Sequence, residues 1–232
     1  MDTLFEAGNT NVKADSYSYN TVLNAWAKSG DPQRAERILS IMEGRYQNGD
    51  ISLKPNTRSY TTVIDAWAKS NDRNSARKAE QILIAMQAQY ENTNDEETRP
   101  NTTTANAVMN SCAFTKVNSE KSDALRIAFR VFEWLQQQRD ISPDSYTYTI
   151  MLSVCSNLLP RQDTRTRYSH ARNLFLKCRE SGHVNDFVLR KLRHTVNEEE
   201  YMSLVDYRIN SSAKNLPSSW TRNAGKKKTK AS

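Results

Sequence analysis

Glycine and proline are scarce, at 6 each in 232 residues. Alternation of apolar and polar residues is absent as well. Sheet architectures need that period of two and frequent turn residues, so they are excluded. No apolar run approaches the roughly 20 residues of a membrane helix, and no membrane partner is expected. Cysteine is limited to Cys112, Cys155 and Cys178, which lie far apart and form no CxxC pair. They read as small buried hydrophobes rather than as a disulfide frame or zinc knuckle. His170, His183 and His194 show no ligand spacing, so no metal and no cofactor are expected. Asp65 and Asp72 stand alone, and no catalytic constellation appears; the chain does not read as an enzyme. The opening Met1-Asp2-Thr3-Leu4-Phe5-Glu6 is acidic, unlike a secretory signal or an Arg-rich transit peptide.

An excess of positive charge is missing from most of the chain. The net charge is +7, but six cations (Lys214, Arg222, Lys226, Lys227, Lys228, Lys230) fall after Asn210 with no acid among them. The body is therefore close to neutral. Strong, sequence-blind phosphate binding needs clustered Lys and Arg and is not expected of it. The tail, 210–232, has no periodicity and reads as disordered. Its expected effect is to add affinity for a polyanion without selectivity.

What the chain has in abundance is repetition. Tyr19-Asn20-Thr21-Val22-Leu23-Asn24-Ala25-Trp26-Ala27-Lys28-Ser29 returns as Tyr60-Thr61-Thr62-Val63-Ile64-Asp65-Ala66-Trp67-Ala68-Lys69-Ser70. Weaker copies start at Ala105 and Tyr148. Self-similarity at such a period marks stacked repeats. Within each copy, apolar residues occupy one helix face. They are Tyr19, Val22, Leu23, Trp26; Tyr60, Val63, Ile64, Trp67; Ala105, Val108, Met109, Cys112; and Tyr148, Met151, Leu152, Cys155.

A second helix keeps the same spacing and always begins with alanine. It runs Ala35, Ile38, Leu39, Met42; Ala79, Ile82, Leu83, Met86; Ala128, Val131, Phe132, Leu135; and Ala171, Leu174, Phe175, Cys178. The recurrent alanine implies two helices in close approach. Ser16, Thr57, Thr102 and Ser145 are expected as caps or first-turn residues. Pro55-Asn56, Pro100-Asn101 and Pro143-Asp144 end the loops between copies, where a proline stops one helix and sets up the next. The polar stretch 92–99 reads as a mobile loop.

The pattern predicts helices at 16–28, 31–48, 57–69, 74–91, 102–114, 119–138, 145–157 and 165–181. The expected organisation is the back half of a truncated repeat (1–15), repeats at 16–56, 57–101, 102–144 and 145–186, capping helices at 187–209, and the basic tail. The fold class is all-α: a right-handed α-solenoid of stacked antiparallel helix pairs, about four full repeats with partial repeats at both ends.

The opening Ser18-Tyr19-Asn20-Thr21-Val22-Leu23, the Ala-x-x-Ile-Leu-x-x-Met of the second helix and the Pro-Asn or Pro-Asp close resemble the pentatricopeptide repeat family over about residues 16–195. The units here are longer than that family's, and the excess lies in the loop after the second helix. The resemblance implies single-stranded RNA as partner, read one base per repeat. It also implies that a polar residue of the first helix and the last residue of the unit do the reading. The implied pairs are Asn20 with Asn56, Thr61 with Asn101, Asn106 with Asp144, and Thr149 with Asp186, and the implied bases are C-A-U-G. Asn, Asp and Thr suit a base's Watson–Crick edge and are poor choices for a solvated helix interior. Tyr17, Arg58, Thr103, Tyr146 and Val188 would flank the bases. Of these, Tyr17, Arg58 and Tyr146 could stack on them. Lys28 and Lys69 could meet phosphates. The resemblance further implies a monomer serving RNA processing, stability or translation in a mitochondrion or plastid. A helical scaffold that binds other proteins without reading RNA is the alternative.

Overall fold

The computed structural model describes residues 14–70, 72–205 and 213–225. They fall into two compact units, Met1–Ser111 and Cys112–Ser232. No strand occurs among the described residues, and the all-α class of stacked helix pairs is the class observed. The first unit holds α1 (Ser16–Ser29), α2 (Pro32–Gln47), α3 (Thr57–Lys69), α4 (Ser75–Thr93) and most of α5 (Thr102–Ala113). The second holds α6 (Lys121–Gln137), α7 (Ser145–Leu158), α8 (Thr164–Glu180), α9 (Asp186–Thr195), α10 (Glu198–Leu204) and α11 (Ser218–Thr221). Each of the eight helices expected from the repeat starts and ends within two residues of its predicted bounds. In the first unit α1 packs on α2 and α3, α2 on α3, and α3 on α4. In the second, α7 packs on α6, α8 and α9.

The first helix of each repeat starts where an Asx side chain satisfies an orphan backbone donor. Asp15 accepts the Ser18 N–H at 2.9 Å, Asn56 that of Ser59 at 3.1 Å, and Asp144 that of Thr147 at 2.8 Å. The hydroxyl residues expected as caps or first-turn residues stand in the first turn, and their side chains bond elsewhere. Ser16 Oγ donates to the Ser52 and Lys54 carbonyls, Thr57 Oγ1 to those of Glu97 and Arg99, and Ser145 Oγ to that of His183. Each therefore stitches the start of a first helix to the loop that closes the same repeat. Capping falls to the preceding residue because a carboxylate or amide oxygen at that position already reaches the third N–H of the helix.

The two apolar faces are buried as the spacing requires. The exceptions lie in the first repeat: Val22 is 42% exposed, and Trp26 and Ile38 are half-buried. No earlier helix pair stands in front of α1 and α2 among the described residues, and Arg34 lies 4.5 Å over the Trp26 ring instead. Ala35, Ala79, Ala128 and Ala171 are all fully buried. The Tyr60 hydroxyl donates to Glu43 Oε1 at 3.0 Å inside this packing, and burial pushes both groups up in pKa. Cys112, Cys155 and Cys178 are free and buried, with the Cys155 thiol pushed up to about 12 by desolvation.

Two expectations are corrected. The loop at 92–99 is not loose. It folds into a short 3-10 turn at Glu96–Thr98, with Thr98 buried and Lys54 Nζ held 2.6 Å from Asp95 Oδ2 and 3.2 Å from Glu97 Oε2. That ion pair raises the Lys54 ammonium in pKa and lowers the Asp95 carboxyl. Nor is the whole of 210–232 a featureless tail. Residues 213–225 dock on the second unit through α11. The Val184 N–H donates to the Trp220 carbonyl at 2.9 Å, and the Asn223 N–H to that of Gly182 at 2.8 Å. The Trp220 ring meets Phe175 edge-on at 6.0 Å, and Arg179 lies 5.0 Å over it. Gly182, at φ +75°, leaves the space this needs, since a Cβ there would come within 2.5 Å of Arg222 Cγ. The four lysines from Lys226 to Lys230 lie outside the described residues, as does the expected partial repeat at the start apart from Ala14 and Asp15.

Candidate nucleic-acid interface

Two of the expected pairs are brought together by a third residue. Asn20 lies on α1, and Asn56 caps α3. Between them sits Ser59, the third residue of α3 and fully buried. Its Oγ donates to Asn20 Oδ1 at 2.8 Å, lies 3.2 Å from Asn56 Oδ1, and accepts the Asn56 N–H at 3.1 Å. One repeat later the arrangement recurs. Thr61 Oγ1 is 3.1 Å from Thr104 Oγ1, which is 3.2 Å from Asn101 Oδ1; the Thr104 N–H also donates to Asn101 at 3.0 Å. The spacing within each helix and the stacking of α1 on α3 account for this. The last residue of one unit is the cap of the next first helix, so it sits against the first helix before it. Repeats of this kind give a row of paired polar side chains, each within reach of one planar, hydrogen-bonding ligand such as a base.

A family model described as PPR repeat family matches residues 100–157, and one described as PPR repeat matches residues 17–46. The chain belongs to the pentatricopeptide repeat family. No curated protein matches it. It is thus a helical repeat protein of a family generally tied to RNA binding.

The other two pairs of this pentatricopeptide repeat protein differ. Asn106 belongs to the first unit, where it is only 4% exposed, and Asp144 to the second, where it caps α7 and accepts the Thr147 hydroxyl at 2.9 Å. In the fourth repeat the helix cap falls one residue before the expected Asp186. Asn56 and Asp144 are caps, and the residue that caps α9 is Asn185, whose Oδ1 accepts the Val188 N–H at 3.0 Å. Asp186 is the first helical residue, and its carboxylate accepts the Ala213 N–H at 2.6 Å. Asn185 therefore holds the cap place that Asn56 and Asp144 hold in the earlier repeats. The Thr149 hydroxyl donates to the Ser145 carbonyl at 2.8 Å.

The same shift corrects the flanking residues. Val188 is fully buried and cannot face a base. The second residue of α9 is Phe187, which is 64% exposed and matches Tyr17 (78%) and Tyr146 (57%) at the second place of α1 and α7. Arg58 and Thr103 hold that place in α3 and α5, also exposed. A solvated aromatic or guanidinium at one recurring position is the signal the sequence carried for Phe187. Lys28 and Lys69 are exposed in the last turns of α1 and α3.

Asp65 stands one turn beyond Thr61 on α3, half-buried, and burial pushes its carboxyl up in pKa while Lys69 pulls it back. A carboxyl whose pKa is higher folded than unfolded costs stability when ionised. The penalty grows as pH rises through its titration range and is absent below it. Asp65→Asn is expected to be more stable than wild type at about pH 7 and indistinguishable from it below about pH 3.5. Thermal melts of both proteins across that range check this; an equal gain at every pH would show that the charge is not the cause. Among the described residues no cluster of three or more His, Cys, Asp or Glu is placed to hold a metal ion, and no helix is long and apolar enough to cross a membrane.

Proposed function

We propose that this protein binds single-stranded RNA and selects bases, one per repeat, and that it does so as an adaptor of transcripts in a mitochondrion or plastid rather than as an enzyme. The observation that carries the reading is the pair of recurring clusters, Asn20 with Asn56 and Thr61 with Asn101, each held at hydrogen-bond distance through a buried hydroxyl. By the family's correspondence Asn with Asn reads cytosine, Thr with Asn adenine, and Asn with Asp uracil. With Asn185 in place of Asp186, the fourth pair becomes Thr with Asn, and the site reads C-A-U-A. Tyr17, Arg58, Tyr146 and Phe187 flank the bases and stack on them. Lys28, Lys69 and the lysines of the tail meet phosphates, with no preference for sequence.

The test is Asn101→Asp. The cap survives, because a carboxylate oxygen accepts the Thr104 N–H as the amide oxygen does. The outward group changes from a donor to an acceptor. The pair then suits guanine, whose N1–H and amino group are donors, and the preference at that base alone is expected to move by about 1–3 kcal/mol. Binding of short RNAs differing only at that base, measured for both proteins, decides it. Proteins that bind RNA without distinguishing adenine from guanine would end the base-reading role, and proteins that bind no RNA would leave the protein-binding scaffold.

A further inference from the structure

We propose that Ser59 and Thr104 are specificity-determining positioning residues: the buried hydroxyl at the third place of a first helix sets which hydrogen-bonding face its pair presents to a base. This role rests on the RNA reading proposed above.

Ser59 Oγ carries a single proton. Its lone pairs take the Asn56 N–H at 3.1 Å, and its proton points to its nearest acceptor, Asn20 Oδ1 at 2.8 Å. Asn56 Oδ1 is already occupied by the Ser59 N–H at 3.1 Å. Both side-chain carbonyls are thus turned onto Ser59, and both NH₂ groups are turned away from it. Two neighbouring donors match an edge with two neighbouring acceptors. Cytosine supplies N3 and O2 in that arrangement. Uracil interposes an N–H between its two oxygens, and neither purine has two adjacent acceptors on its Watson–Crick edge. Without the hydroxyl, Asn20 is free to flip its amide, and a flipped amide offers an acceptor where cytosine needs a donor.

Thr104 applies the same control one repeat on. It holds the Thr61 hydroxyl at 3.1 Å and Asn101 Oδ1 at 3.2 Å, so neither rotates independently. The fourth pair is the natural contrast. Its third-place residue is Val188, which offers no hydroxyl, and the Thr149 hydroxyl turns back to its own helix at the Ser145 carbonyl. Thr149 and Asn185 are therefore uncoupled, and base four should be read less stringently than base two although both pairs are Thr with Asn.

The experiment measures affinity for single-stranded RNAs carrying C-A-U-A and for versions changed at one base. It uses the full chain as wild type, Ser59→Ala, Ser59→Thr and Val188→Thr. Wild type is expected to discriminate at bases one and two and less at base four. Ser59→Ala is expected to lose about tenfold of its discrimination at base one and none at base two, with Ser59→Thr restoring it. Val188→Thr, nearly isosteric, is expected to sharpen discrimination at base four. Should Ser59→Ala fail to fold, Val188→Thr decides alone. Unchanged discrimination at base one in folded Ser59→Ala, or equal loss at bases one and two, overturns the positioning role while leaving RNA reading intact. Wild-type binding with no discrimination at any base overturns both.

Discussion

Replacing Phe175 with alanine is expected to lower the unfolding free energy by about 3–5 kcal/mol. Phe175 lies at the third apolar position of α8 and is fully buried. It also carries the C-terminal segment, through its edge-on contact with Trp220. Truncation therefore leaves a cavity between packed helices and removes the platform on which residues 213–225 rest. Trp220→Ala is expected to cost less, because Trp220 is only half-buried. A double-mutant cycle should show about 0.5–1.5 kcal/mol of coupling between the two rings. Urea unfolding followed by circular dichroism supplies all four free energies. Zero coupling, with Trp220→Ala neutral, would mean that the segment is not docked in solution.

Ala79→Leu is expected to cost about 1–3 kcal/mol although it adds apolar surface. Ala79 is fully buried at the start of the apolar face of α4, the helix that packs on α3. The added isopropyl group has no space to enter, so α3 and α4 must separate or adopt poor rotamers. Because α3 carries Ser59 and Thr61, the shift reaches the pairs proposed to read bases, and on that proposal RNA affinity should fall with stability. The contrast is Ile84→Leu on the same helix, whose side chain is exposed and should be neutral within about 0.5 kcal/mol. Equal melting temperatures for Ala79→Leu and wild type would mean that the recurrent alanine does not mark a close approach of helices.

Helix bounds were legible because each helix carries its own period and punctuation. An apolar stripe starts a few residues after an Asx cap and ends near a Gly, Ser or Pro, and those signals are local. The cap of α9 was not legible for an equally local reason. In three repeats a proline precedes the cap, at Pro55, Pro100 and Pro143; in the fourth, Val184 precedes two candidates in a row, Asn185 and Asp186. Either could cap a helix by composition. The helix starts with Asn185 as its cap, which buries Val188 and Leu189 and exposes Phe187.

The joined pairs were half legible. Asn20, Asn56, Thr61 and Asn101 were paired by the family resemblance, yet no local pattern marked Ser59 and Thr104. Their importance comes from contacts across about 40 residues of chain, which exist only once α1 stands on α3 and α3 is followed by its next repeat. The helical class, the repeat and the faces to be buried follow from periodicity within a single helix, so the chain of residues alone dictates them. The cap register at Asn185, the order of the 92–99 loop, the docking of 213–225 and the hydroxyl bridges emerge only from the folded arrangement. Each depends on a surface or a hydrogen-bond partner supplied by a distant part of the chain, and no local pattern encodes which partner that will be.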